Sequence, residues 1–184
     1  MSANNSGSFP SQARPGLGTP PSDRLVACGG MAPLSSAEIN EFLTAGARIA
    51  KLGTLRDGWP YINPVWYEWD GSAFWVIGKP LAQFVKNLKH DERAFLVVDK
   101  DDFPYVRVNV EATGRVVSEA WEDQWVEMTR RMTLRYIGNL DYLEERLKFP
   151  LSVISLTPVR TNTWNPTTFP PDRTFTSEAR WNAV

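Results

Sequence analysis

The chain has one histidine, His90 in "NLKHDER", and one cysteine, Cys28 in "LVACGGMAP". These counts exclude most chemistry that side chains perform unaided. A Ser-His-Asp hydrolase would need His90 as its base, and no nucleophile elbow accompanies it. Zinc or non-haem iron sites built on several histidines or cysteines lack their ligands, and a lone cysteine closes no intramolecular disulfide. His90 stands near the C-terminal end of an expected helix, where the dipole favours a solvated cation. Cys28 reads as a bystander. Neither GxxxxGK nor GxGxxG occurs, so there is no glycine-rich phosphate loop. The carboxylates from Asp99 to Asp102 and at Glu144-Glu145 fall in an expected turn and on a polar helix face, and read as solvated charge.

What remains is chemistry carried by an organic cofactor, or none. Hydride or electron transfer asks the protein for binding, orientation and exclusion of water. It needs a seat for a planar ring and cations for any phosphate. "YINPVWYEWDGSAFWVIGKP", Tyr61 to Pro80, holds three tryptophans, two tyrosines and a phenylalanine. Sheet cores and interfaces use aromatics freely, so Trp59, Tyr61, Tyr67, Trp69, Phe74 and Trp75 are read mainly as core or interface.

Several elements must position these residues. "SSAEINEF" offers a serine N-cap and an acidic first turn, with Ile39, Phe42 and Leu43 on one helical face. Ala47 to Gly78 reads as three successive strands, turned at Asp57-Gly58 and Asp70-Gly71. In the second strand, alternation puts Trp59, Tyr61, Asn63, Val65 and Tyr67 on one face and Ile62, Pro64 and Trp66 on the other. Pro64 cannot donate to a ladder, so it marks an edge, a bulge or a gap in pairing. "LAQFVKNLKH" predicts a helix burying Leu81, Phe84, Val85 and Leu88. Two strands follow, "RAFLVVD" and "YVRVNVEATGRVVSE". Next comes a helix with Trp121, Trp125, Met128, Met132 and Tyr136 at helical spacing, read as packing and ending at Gly138. A second short helix and one or two closing strands in "LSVISLTPVRTNTW" complete the domain. The order fits an α+β, mainly β, antiparallel barrel with peripheral helices.

With 184 residues, 42% of them hydrophobic and 22% charged, the chain reads as one soluble domain. Residues 1–32, rich in Ser, Gly, Pro and Asn, read as a disordered or loosely docked arm. Residues 33–165 form the domain and 166–184 a C-terminal extension. A net charge of −1 argues against nucleic-acid binding. No apolar run nears the roughly 20 residues that span a bilayer. The N-terminus does not read as a signal peptide, so the expected compartment is cytoplasmic.

The succession "ARIAKLGTLRDGWPYINPVWYEWDGSAFWVIG", "VKNLKHDERAFLVVDKDD", "YVRVNVEATGRVV" and "ISLTPVRTNTW" resembles the pyridoxamine 5′-phosphate oxidase-like flavin-binding split-barrel superfamily from about Ala47 to Trp164. The resemblance implies a split β-barrel homodimer with flavin mononucleotide (FMN), or in some branches a deazaflavin coenzyme, at the dimer interface. It implies that Asn63, Pro64, Val65 and Trp66 run beside the ring and that Ile77, Gly78 and Lys79 line the phosphate side. Lys86 and Asn87 match the opening of a helix. Arg107 matches a polar cofactor-contacting position and Trp164 a C-terminal aromatic near the ring. Lys79, Lys86 and Arg107 are the expected phosphate partners, on charge. Phe84 stands where the family commonly has a basic residue. The Arg-x-His-Arg-type segment of true pyridoxamine phosphate oxidases is absent, which disfavours vitamin B6 oxidation. A haem-degrading branch that needs a C-terminal histidine is disfavoured likewise. The expected function is an FMN- or deazaflavin-dependent oxidoreductase acting on a small organic molecule by hydride transfer. A non-catalytic protein that binds or stores a flat ligand is the alternative. Thr54, Asn63 and Tyr67 are candidate substrate contacts; no catalytic residue and no metal ligand is assigned.

Overall fold

A computed structural model describes residues 25–27, 33–118 and 123–165. Cys28, Trp121, the 166–184 extension and most of the N-terminal arm lie outside the described residues. Within the arm, β1 (Leu25–Ala27) is a short strand. Helix α1 (Ser36–Thr44) starts at a capping box, in which Ser35 and Glu38 each satisfy the other's backbone N–H. Ile39 and Leu43 are its buried residues.

Strands β2 (Ala50–Arg56) and β3 (Trp59–Val65) form a hairpin through Asp57 and Gly58. Both turn residues have positive φ, 51° and 81°, as a tight two-residue hairpin turn requires. The inward phase of β3 follows the expected alternation: Tyr61 and Asn63 are half-buried and Val65 is buried, while Ile62 and Pro64 are exposed. Trp59 departs from it, at 78% exposed beside the turn. β3 is an edge strand, which is how Pro64 is accommodated.

The stretch expected to hold three strands holds four, because pairing stops at Trp66 and Tyr67 before β4 (Glu68–Trp69) and β5 (Phe74–Gly78). The turn between β4 and β5 is organised by Asp70. Its Oδ1 accepts from the Ser72 and Ala73 N–H groups (2.8 Å each) and the Ser72 hydroxyl, and its Oδ2 from the Trp75 indole at 2.8 Å.

After β5 come α2 (Gln83–His90), β6 (Arg93–Asp99), β7 (Arg107–Ser118), α3 (Asp123–Ile137), α4 (Leu143–Leu147) and β8 (Ser152–Trp164). The sheet order is β3-β2-β6-β7-β8-β5-β4 with antiparallel neighbours throughout, and β1 adds to β8 in parallel. Alternate β5 residues face two cores. Phe74 and Val76 join the central cluster with Leu52, Leu96, Val108 and Ile154. Trp75 and Ile77 meet Trp125, Met128 and Met132 of α3, so that stripe is packing. Thr129 and Thr133, buried in α3, donate to carbonyls one turn back at 2.8 Å. Among the described residues no helix is long and apolar enough to cross a membrane.

Helix α2 lies directly on the sheet. Phe84, Val85 and Leu88 are buried as expected, but Leu81 is 79% exposed because the helix begins only at Gln83. Asn87 takes the fourth buried place. The close approach is made possible by absent side chains: a Cβ on Gly114 would lie 2.7 Å from Leu88 Cδ2 and 2.8 Å from Leu156 Cδ2, and one on Gly78 would run into the Phe84 ring.

Two predictions follow from this packing. Gly114→Ala should destabilise the fold by about 1–3 kcal/mol through overpacking, read as a lower denaturation midpoint with an unchanged slope; an unchanged midpoint contradicts the packing. Asp70 tests the turn through pH. Burial opposes its charge, but the hydrogen bonds from Trp75, Ser72 and Ala73 together hold its carboxyl below the ordinary value. A lowered native pKa means the stabilisation is complete above the unfolded pKa, roughly 3.9, and is lost as pH falls through the native value. Asp70→Asn should therefore cost about 1 kcal/mol at pH 7, at the low end because the group is half-exposed. The gap from wild type should shrink below about pH 4; a gap independent of pH contradicts the assignment.

Candidate functional site

At Trp66 and Tyr67 the ladder is replaced by side chains of α3. The Tyr67 N–H donates to the Tyr136 hydroxyl at 3.2 Å, and that hydroxyl donates toward the Arg48 and Tyr67 carbonyls at 2.9 and 3.2 Å. Arg135 donates to the Gly46, Leu43 and Tyr67 carbonyls at 2.6, 2.8 and 3.4 Å. Tyr67 is thereby fixed in the core, its hydroxyl donating to the Leu43 carbonyl at 2.8 Å, and burial pushes its phenol up to about 12. Trp66 turns the other way. Its indole lies parallel to the Tyr136 ring, centroids 4.9 Å apart and planes 2° from parallel.

A groove of about 510 Å³ opens beside Trp66. One wall is the end of β3 (Pro64, Val65, Trp66), and another is the end of β5 (Ile77, Gly78, Lys79). The entry to α2 (Leu81, Ala82, Phe84) and Arg146 of α4 complete it. The lining is largely apolar and contains two cations and no carboxylate. Its size suits a small organic ligand. Lys79 is exposed, its ammonium 5.7 Å from the Phe149 ring centroid. The Arg146 guanidinium is half-buried, 4.7 Å from the Trp66 ring centroid; its Nε is buried without a hydrogen-bond partner, and burial pushes its pKa down.

Pro64, Val65, Trp66, Ile77, Gly78 and Lys79, distant in sequence, thus share one groove. The other expected site residues do not line it. Asn63 follows the inward phase of β3, and its amide oxygen is buried without a hydrogen-bond partner. Lys86 is exposed on α2. Asn87 is buried and donates to the Thr54 hydroxyl at 2.9 Å while accepting from Gln83 at 2.8 Å. Arg107 and Trp164 pair across β7 and β8, the guanidinium 5.3 Å from the ring centroid, at the opposite end of β8 from the Ser152 that pairs with Gly78. Lys79, Lys86 and Arg107 therefore do not converge on one phosphate within a single chain. Thr54 and Tyr67, expected as possible substrate contacts, are 3% and 0% exposed and serve internal hydrogen bonds. His90 is exposed at the end of α2.

Leu81, Ala82, Phe84 and Arg146 were not among the expected site residues. Phe84, read from the sequence as a buried helix residue at a position where the family commonly has a basic residue, is a groove wall. Arg146 sits in "YLEERLKF", a charged helix with no local sign that one of its cations returns to Trp66, far earlier in the chain.

The groove fits a planar group with an anionic substituent: apolar walls for the ring, Lys79 and an unpaired Arg146 for the anion. The family model described as pyridoxamine 5′-phosphate oxidase matches residues 35–165. No curated protein matches. Among solved structures, a conserved hypothetical protein from Mycobacterium tuberculosis is 21% identical with a TM-score of 0.66, covering 84% of this chain and 99% of that one. An F420 reductase is 22% identical with a TM-score of 0.53, over 66% of this chain and 94% of that one. HutZ, a haem storage protein from Vibrio cholerae, is 18% identical with a TM-score of 0.55, over 70% and 92%. These likenesses establish the fold, a mainly antiparallel split barrel with peripheral helices, and by its match over residues 35–165 the chain belongs to the pyridoxamine 5′-phosphate oxidase family.

Proposed function

We propose that the protein is a cytoplasmic oxidoreductase that binds FMN or a deazaflavin coenzyme in the β3–β5–α2 groove and exchanges hydride with a small organic molecule. The observation that carries this reading is the groove itself: apolar walls, two cations and no carboxylate, in a member of this family. A solved structure named as an F420 reductase is among the similar folds and supports the deazaflavin form. Bound there, the ring supplies or accepts the hydride. The chain's part is to seat and shield it. Pro64 presents a backbone with no N–H, Val65, Ile77 and Phe84 exclude water, and Lys79 and Arg146 attract the anionic substituent.

The working form we propose is a homodimer. Ile62 and Phe95, 67% and 43% exposed, flank Gly53 on one cross-strand row of β3, β2 and β6, an apolar patch suited to a second copy. A second copy is also the source from which Arg107 and Trp164 would reach the groove, as the family resemblance implies.

A second reading, a binding or storage protein for a flat ligand, draws on the groove's lack of any carboxylate, histidine or hydroxyl, and on the haem storage protein among the similar folds. The test is an absorption titration of the purified protein with FMN and with a deazaflavin coenzyme, followed by an acceptor screen on the loaded, reduced protein. Saturable binding stoichiometric with subunits, and turnover of an acceptor, is the expected result. Binding without turnover favours storage, and no binding of either cofactor contradicts both flavin forms.

A further inference from the structure

The two arginines around the Trp66–Tyr136 stack are treated differently by the fold. Arg135 lies 5.5 Å from the Tyr136 ring centroid, donates to three backbone carbonyls and stands 3.9 Å from Glu68. Its role is internal. Arg146 has a comparable aromatic partner in Trp66, but none of the other contacts: among the described residues its side chain makes no hydrogen bond or ion pair, and its Nε is buried. It lines the groove, where no residue carries negative charge. A guanidinium over an indole face is held by cation–π attraction while its in-plane N–H groups stay available. A buried donor left unpaired is unfavourable, and pairing it with an oxyanion removes that cost with a charge-assisted, two-pronged contact.

We infer that Arg146 is an oxyanion-binding residue of the groove, and that the molecule seated against Trp66 carries a phosphate or carboxylate that this guanidinium holds. The inference deepens the reading of the groove as a flavin or deazaflavin site, and it rests on that reading for the identity of the ring. The anion has two possible sources, the cofactor's phosphate or an acidic group on the molecule it reacts with. Lys79, exposed and without the aromatic support of Trp66, would add attraction at the mouth with less directional hold.

The experiment compares the full-length wild type with Arg146→Gln and Arg146→Lys. FMN and riboflavin, which share a ring and differ by the phosphate, are titrated first; benzoate and inorganic phosphate are then titrated into free and FMN-loaded protein. Thermal melting of each variant checks that it is folded, and Arg146→Lys separates charge from the planar fork. If the anion is the cofactor's, Arg146→Gln weakens FMN by roughly 10- to 100-fold and leaves riboflavin unchanged. If it belongs to the second molecule, FMN is unchanged and benzoate or phosphate loses affinity by a similar factor. In either case Arg146→Lys loses less than Arg146→Gln. Equal affinities for every ligand in folded wild type and Arg146→Gln overturn the inference, as does a wild type that binds none of the anions. A wild type that binds benzoate through Arg146 but neither flavin nor a deazaflavin would leave the inference standing and overturn the cofactor reading.

Discussion

The structure turns on a short break in β-pairing at Trp66 and Tyr67. Backbone groups that leave a ladder inside a protein must find other partners. Here Arg135 and Tyr136, from a helix nearly seventy residues later (136 − 67 = 69), provide them for Tyr67. With those contacts in place, Tyr67 closes the core and Trp66 faces outward onto Tyr136. The ends of β3 and β5 stay apart, and α2, seated close by the missing side chains of Gly78 and Gly114, forms the remaining wall. The groove follows from that separation. A continuous β3 would have turned Trp66 and Tyr67 by strand alternation alone, with no role for α3 in setting the angle of the indole.

The same knot sets the electrostatics. Arg135 is satisfied by carbonyls and Glu68, so the positive character of the groove comes from Lys79 and Arg146. An apolar slot with cations and no carboxylate favours ligands with delocalised rings and anionic substituents over cationic or neutral polar ones. This is the common physical ground on which a flavin, a deazaflavin and an acidic small molecule all become candidates, and it links the family membership to this chain's own residues.

Much of the fold was legible because local rules governed it. The Asp57-Gly58 turn needs two positive φ values, Ser35 and Glu38 write out a capping box, and Trp125, Met128 and Met132 keep helical spacing toward one core. Pro64, with no N–H to donate, marked an edge, a bulge or a gap in pairing, and the sheet order makes it an edge. The parts that were not legible depend on contacts distant in sequence. Pairing breaks at Trp66 because α3 supplies substitutes, which no window around Trp66 contains. Asn87 looks like a helix-opening polar residue but is buried against Thr54, and Leu81 has the right spacing for a buried stripe but precedes the helix. For the site, strand ends could be read from order along the chain, whereas Arg146 could not, since nothing near it in sequence ties α4 to Trp66.

The most direct test of the account is a crystal structure of the protein loaded with FMN, or with a deazaflavin coenzyme if that binds more tightly. The account predicts the ring against the Pro64–Trp66 backbone, between the ends of β3 and β5, with its anionic substituent directed to Lys79 or Arg146. A ligand seated elsewhere on the barrel, with the groove left to solvent, would contradict it.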